Sequence, residues 1–221
     1  MTTEDLQRLW RMDLYRYYGR DDARTWARML FLPWETPGFR YTFLLRLCAY
    51  LHACRPLIPL YILTRLLLTR LEYKYGITIS PTTRVGGGLY IGHFGGIVIH
   101  PGAVIGENCN ISQGVTIGQS PRGARAGYPT LGDRVFLGPN AIVIGRIVIG
   151  SNVAIGAGCV VTHDAPVGAV IAGVPGKVIS SDGAEGYITR VHPKYAIAVD
   201  SRASSPGWVK AARSRPSGSS A

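Results

Sequence analysis

Ile99-His-Pro-Gly-Ala-Val-Ile105-Gly-Glu-Asn-Cys-Asn-Ile111-Ser-Gln-Gly-Val-Thr-Ile117 puts an isoleucine at every sixth position. The beat returns at Leu131, Leu137, Val143, Ile149, Ile155 and Val161. Four residues after most of these stands a second small or aliphatic side chain: Ala103, Cys109 and Val115, then Val135, Ala141, Ile147, Val153 and Cys159. A period of six fits neither the 3.6 of a helix nor the alternation of a hairpin sheet. It fits a coil with flat walls of short strands, in which each turn buries its aliphatics on the turn below because one repeat cannot bury them alone. Glycine often follows the aliphatic, as at Gly106, Gly138, Gly150 and Gly156.

The beat extends upstream through Ile79, Val85 and Ile91, then slips, because Ile99 lies eight residues on. His93 falls inside that slip. A second irregularity separates Ile117 from Leu131 by 14 residues where two repeats take 12. Its Gly/Pro-rich stretch, residues 119–130, is expected to leave the coil as a loop. Periodic scaffolds place function where the period fails.

Three stretches carry a resemblance: Gly88-Leu-Tyr-Ile-Gly-His-Phe-Gly-Gly-Ile97, Asn110-Ile-Ser-Gln-Gly-Val-Thr-Ile-Gly118 and Ala172-Gly-Val-Pro-Gly-Lys177. With the repeat, they resemble the hexapeptide-repeat acyltransferases, and within them the serine acetyltransferase group with its relatives encoded among surface-polysaccharide genes. The resemblance covers roughly residues 76–180. A weaker one reaches back through Asp13-Leu14 and Arg20-Asp21-Asp22-Ala23. It implies a mainly β fold, a left-handed parallel β-helix over residues 76–180, with acetyl-CoA as co-substrate and a homotrimer as the working form. The left hand is the family's, since ordinary parallel crossovers are right-handed.

Ahead of the coil, residues 1–75 read as a small α-helical domain. Residues 4 to about 30 are expected to form one helix capped by Thr2 or Thr3, with Leu6, Leu9, Trp10, Leu14 and Tyr17 packing at helical spacing. Pro33 and Pro37 bracket a break. Residues 39–75 are apolar, interrupted by Pro56 and Pro59 and punctuated by Arg40, Arg46, Arg55, Arg65 and Arg70. That punctuation falls short of the 18 or more apolar residues of a membrane span. The helices are expected to pack on one another and on the trimer, with peripheral contact to the inner membrane face as the alternative. Residues 181–221 form an extension in which 191–199 offer a short strand. From about 201 its Ser, Gly, Pro, Ala and Arg content reads as disorder.

The net charge is +11. The basic excess is five in residues 1–75, three in 76–180 and three in 181–221. Charge so spread attracts anions generally and does not draw a nucleic-acid stripe. Cys48, Cys54, Cys109 and Cys159 form no CxxC pair, so neither a disulfide framework nor a metal site is expected, and a reducing cytosol fits. Glu4 and Asp5 stand where a signal peptide would be basic.

Acetyl transfer to a hydroxyl needs a base of near-neutral pKa, and histidine suits it. Of His52, His93, His100, His163 and His192, His93 stands in the slip and matches the family's catalytic histidine in Ile-Gly-His. The serine enzymes of the family carry a carboxylate at the position of Thr78, an aspartate at Gly92, and Arg-His at Gly127 and Tyr128. Here all four are uncharged; Asp13 matches an N-terminal aspartate of the group. The acceptor site is therefore expected to use Asp13, Thr78, Gly92, Gln113 and Tyr128. The resemblance places the pantetheine arm along Gly118, Ser120, Pro139 and Ala157, and Lys177 at the nucleotide phosphates, with Arg122, Arg125 and Arg146 as further cations. Pro139 has no N–H to give. An uncharged acceptor site fits a sugar hydroxyl of a surface polysaccharide, with serine as the alternative acceptor. A non-catalytic scaffold is the third reading, and His93 in its motif argues against it.

Overall fold

A computed structural model describes residues 1–31, 36–54 and 57–195. Pro33, Arg55, Pro56 and the tail from 201 lie outside the described residues. Helix α1 spans Thr3–Tyr18 and opens on a capping box: the Asp5 amide donates to the Thr2 hydroxyl at 3.1 Å, and the Thr2 amide donates to the Asp5 carboxylate at 2.7 Å. Gly19, at φ 66°, ends it in the left-handed region. The single helix expected to about residue 30 is thus two. The Asp22 carboxylate accepts the Thr25 amide at 2.8 Å and starts α2, Ala23–Phe31. Helices α3 (Pro37–Ala53) and α4 (Ile58–Tyr75) follow, the latter stopped by Gly76 at φ 60°.

The chain then coils as a parallel β-helix with three walls. The first stacks β1 (Ile77–Ile79), β4 (Ile97–Ile99), β7 (Thr116–Gly118), β10 (Ile142–Ile144) and β13 (Val160–Val161). The second stacks β2 (Arg84–Val85), β5 (Val104–Ile105), β8 (Thr130–Leu131) and β11 (Val148–Ile149). The third stacks β3 (Tyr90–Ile91), β6 (Asn110–Ile111), β9 (Phe136–Leu137), β12 (Ala154–Ile155) and β14 (Val170–Ala172), closed by β15 (Lys177–Ser180), which runs antiparallel to β14. The registers explain the beat of six. Ile99 pairs with Ile117, Ile117 with Val143 and Val143 with Val161, so like stacks on like inside one wall. All ten aliphatics from Ile99 to Val161 are at most 2% exposed. At the corners, Gly88 (φ 76°) and Gly114 (φ 72°) hold left-handed backbone, and a Cβ on either would run into Asn108 or Asn140.

A stack of parallel strands leaves its first strands with unpaired backbone edges. Here the helices meet all three. The Tyr41 hydroxyl accepts the Ile79 amide at 3.0 Å and donates to the Ile79 carbonyl at 3.3 Å, closing β1. Arg46 donates to the Val85 and Gly86 carbonyls, both at 2.5 Å, closing β2. The Tyr17 hydroxyl accepts the Ile91 amide at 3.0 Å and donates to the Ile91 carbonyl at 3.2 Å, closing β3. Between the last two, Asp13 accepts the Gly88 and Leu89 amides at 2.8 and 2.9 Å and pairs with Arg46 Nε at 3.1 Å.

Past β15 the chain returns along the outside. Tyr187 stacks on Phe136 at 4.4 Å, Arg190 donates to the Tyr17 carbonyl, and His192 Nε2 lies 3.3 Å from the Asp21 carboxylate. The short strand expected over 191–199 is absent in its described part: Pro193–Tyr195 form a single 3-10 turn, because His192 is held sideways between Tyr15 and Tyr195. Helix α4 presents Ile58, Ile62, Leu63, Leu66 and Leu67 at 42–61% exposure. No described helix is long and apolar enough to cross a membrane.

Candidate active site

His93 sits on the five-residue connection between β3 and β4, where the beat slips. Its side chain is exposed and, among the described residues of the single chain, makes no hydrogen bond. The backbone around it is pinned on every side. Tyr17 holds Ile91, the Phe94 ring packs on Tyr75 at 5.2 Å, the Gly95 carbonyl accepts the Gly114 amide at 2.8 Å, and the Ile97 amide donates to the Gly76 carbonyl at 3.0 Å. Gly92 and His93 alone project between these pins. A Cβ on Gly92 would meet the Tyr90 ring at 3.0 Å, so a larger residue there needs that ring to shift.

Thr78 is exposed on β1, paired with Val98 on the neighbouring strand of the same wall. Gln113 stands one residue before Gly114, which bonds to the His93 loop, and its side-chain oxygen is buried without a partner. Of the stretch 119–130 expected to leave the coil, residues 119–129 do so and Thr130 opens β8; the loop is tied by paired backbone bonds between Ser120 and Gly127 at 2.9 and 3.0 Å. Tyr128, 37% exposed, lies flat over Gly102, where a Cβ would strike its ring at 2.6 Å. It stacks on His100 at 4.4 Å, and His100 Nδ1 accepts the Gly102 amide at 3.0 Å. His100 is thus half-buried under a tyrosine.

Asp13 departs from its expected place among the acceptor ligands. It is fully buried, and its oxygens are taken by Arg46 and two backbone amides of its own chain. Burial pushes its carboxyl up while Arg46 and the amides pull it down. Its work is to close the end of the coil.

Of the donor-site positions, Gly118 is half-buried and its carbonyl accepts the Gly145 amide at 3.3 Å. The Ser120 hydroxyl donates to the Arg122 carbonyl at 3.0 Å. The Pro139 carbonyl accepts the Gly158 amide at 2.8 Å, so this residue is tied into the wall at the one polar group it has. Ala157 and Lys177 are exposed, the latter at the start of β15. Arg125 donates to the Thr162 carbonyl at 3.1 Å and Arg146 to the Ala124 carbonyl at 3.3 Å, so both brace the 119–129 loop. Among the described residues no group of three or more His, Cys, Asp or Glu is placed to hold a metal.

The model of the bacterial transferase hexapeptide (six repeats) matches residues 128–163. The serine acetyltransferase of Helicobacter pylori is 37% identical over 118 residues, covering 52% of this chain and 67% of that enzyme. The crystal structure of the Neisseria gonorrhoeae serine acetyltransferase is 33% identical and superposes with a TM-score of 0.65 over 81% of this chain and 68% of that one. The chain belongs to the serine acetyltransferase family. The Synechococcus elongatus serine acetyltransferase is 40% identical over 112 residues, but the chain spans only 44% of that enzyme's length. The Brucella abortus member, solved in complex with coenzyme A, is 28% identical with a TM-score of 0.67, over 82% of this chain and 70% of that one.

Membership of this family overturns the sugar acceptor drawn from the uncharged residues. Relatives from 26% to 40% identical to this chain are serine acetyltransferases. Of the four uncharged positions, Gly127 has a charged side chain brought beside it by tertiary contact. Gly127, in the left-handed region at φ 133°, lies against the Arg146 side chain: a Cβ there would meet Arg146 Cβ at 3.0 Å and Cδ at 3.6 Å. A cation thus runs past the loop position that itself carries none. Tyr17 was read from sequence only as helix packing, and no local signal marks it, because its partner Ile91 lies 74 residues away.

Proposed function

We propose that this chain is an acetyl-CoA-dependent serine O-acetyltransferase. The observation that carries the reading is His93, exposed where the repeat slips, in a coil whose relatives are serine acetyltransferases. His93 takes the proton of the serine hydroxyl as its oxygen attacks the thioester carbon. The tetrahedral intermediate collapses, the carbon–sulfur bond breaks, and the thiolate of coenzyme A recovers the proton from the imidazolium. The products are O-acetylserine and coenzyme A. Backbone amides of the glycine-rich His93 loop are suited to steady the oxyanion, since they are fixed before the reaction begins.

Serine brings an ammonium and a carboxylate, and burying either unpaired costs several kcal/mol. Arg146 beside Gly127 supplies the cation in this reading, and Tyr128 and Gln113 supply hydrogen bonds. Acetyl-CoA lies along Gly118, Ser120, Pro139 and Ala157 toward Lys177. We also infer a homotrimer, supported by apolar surface that one chain leaves open: Phe94 and Val98 are each 48% exposed beside His93. The test is kcat/KM for L-serine at fixed acetyl-CoA, followed as release of free thiol. Efficient turnover that Arg146→Ala weakens mainly through KM for serine is expected. A chain that releases no thiol with L-serine would not be a serine enzyme.

A further inference from the structure

We infer that Tyr17 is a positioning residue for His93: its hydroxyl fixes the last residue of β3 and so sets where the imidazole stands. The inference rests on His93 being the base. Strand β3 is the outermost strand of its wall, so no coil below it can hold Ile91. One hydroxyl does so, using its single O–H and one lone pair on the carbonyl and amide of the same residue, two positions before His93. The contact is built to close tolerance. Gly38 at the start of α3 lies so near that a Cβ would come within 2.2 Å of the Ile91 carbonyl oxygen and 2.6 Å of the Tyr17 hydroxyl. The Tyr17 ring is held between Phe39 at 5.8 Å and Tyr90 at 4.8 Å. Burial raises the hydroxyl's pKa well above its usual value, so it remains a donor at every working pH. Among the described residues His93 has no side-chain partner within its own chain, so the backbone pins orient it there. Tyr17 is the pin that acts through a removable side-chain group at the residue where the loop begins.

The structure contains its own control. Tyr41 makes the same pair of hydrogen bonds to Ile79 on β1, the edge of another wall, from a more deeply buried position than Tyr17. Tyr17→Phe and Tyr41→Phe delete the same hydroxyl from the same kind of contact, and a merely structural role predicts a consequence at least as large for the more buried Tyr41. A positioning role predicts the opposite order in kinetics, with the loss of kcat confined to Tyr17→Phe even where Tyr41→Phe loses as much melting temperature or more. Tyr17→Phe should lower kcat about ten- to a hundredfold, the scale of a small misplacement of a reacting group, with KM for acetyl-CoA unchanged. Tyr41→Phe should keep kcat within about twofold. Hydrogen exchange of the 92–94 amides should quicken in Tyr17→Phe and not in Tyr41→Phe. Equal kcat in the two variants, or unchanged exchange in Tyr17→Phe, would overturn the inference. His93→Ala is assayed beside them: full activity in that variant would remove the base assignment itself, whereas a dead His93→Ala with a fully active Tyr17→Phe would refute positioning alone.

Discussion

Replacing Arg46 by methionine tests whether the helices hold the coil shut. Arg46 is 5% exposed, and its guanidinium carries four bonds: Asp13 at 3.1 and 3.4 Å and the Val85 and Gly86 carbonyls at 2.5 Å. Methionine fills much of the volume and supplies no donor. Asp13, fully buried, then faces two amides and no cation. Stranding one partner of a buried pair costs about 3–5 kcal/mol, and each carbonyl left without a donor adds about 1–3 kcal/mol where water cannot reach it. The stranded pair alone, at about 4 kcal/mol and the roughly 2–4 °C per kcal/mol of a domain this size, lowers the melting temperature by about 8–16 °C, and any carbonyl that water cannot reach adds to that. Arg46→Met combined with Asp13→Asn removes the stranded charge and keeps an oxygen for the Gly88 and Leu89 amides. The double variant should therefore be more stable than Arg46→Met alone. The assay is thermal unfolding by circular dichroism at neutral pH, read as a double-mutant cycle. A fall of less than about 3 °C for Arg46→Met, or a double variant worse than both singles summed, would refute the account of Asp13 and Arg46 as one closing device.

His93→Ala should lower kcat by about 10²–10⁴, the usual worth of a positioned base, with an unchanged melting temperature because the side chain is exposed; wild-type kcat would exclude it from the mechanism. Burial pushes the Cys109 thiol up to about 12 and raises Cys48 and Cys159 as well. A raised pKa keeps the thiol protonated, and only the thiolate reacts, so at pH 8 iodoacetamide should label half-buried Cys54 well before the other three, and equal labelling of Cys109 in the native protein would contradict its burial. Light scattering should give three chains per particle. If the aliphatic face of α4 with its exposed Arg70 and Lys74 also rests on lipid, anionic vesicles should sediment the protein at low salt and Leu66→Glu should abolish it; equal partition with and without vesicles would remove lipid contact.

The coil was legible in the sequence because its order is local and repeated. Each aliphatic from Ile99 to Val161 needs the same neighbour one turn above and below, so the requirement is written ten times and survives any single exception. The two places where the requirement lapses were legible for the same reason, and they mark the His93 connection and the 119–129 loop. The family motif then singled out His93 from five histidines. The sugar acceptor drawn from four uncharged positions is overturned by the serine acetyltransferase relatives, and those positions judged by their own side chains could not show that Arg146 lies against Gly127.

The ends of the stack were not legible. In sequence Asp13 reads as an acceptor ligand by resemblance, Tyr17 as helix packing and Arg46 as a charge that interrupts an apolar stretch, and nothing there marks Tyr41. Their partners Ile91, Ile79, Val85 and Gly88 lie 38 to 75 residues away. No period links such pairs, since each contact occurs once and depends on how the helices dock against the first turn. A repeat determines its own interior by what every turn demands of the next. Its first turn has no predecessor, so its free amides and carbonyls take whatever the tertiary fold brings to them, and here that fold brings the hydroxyl that stands two residues from the histidine.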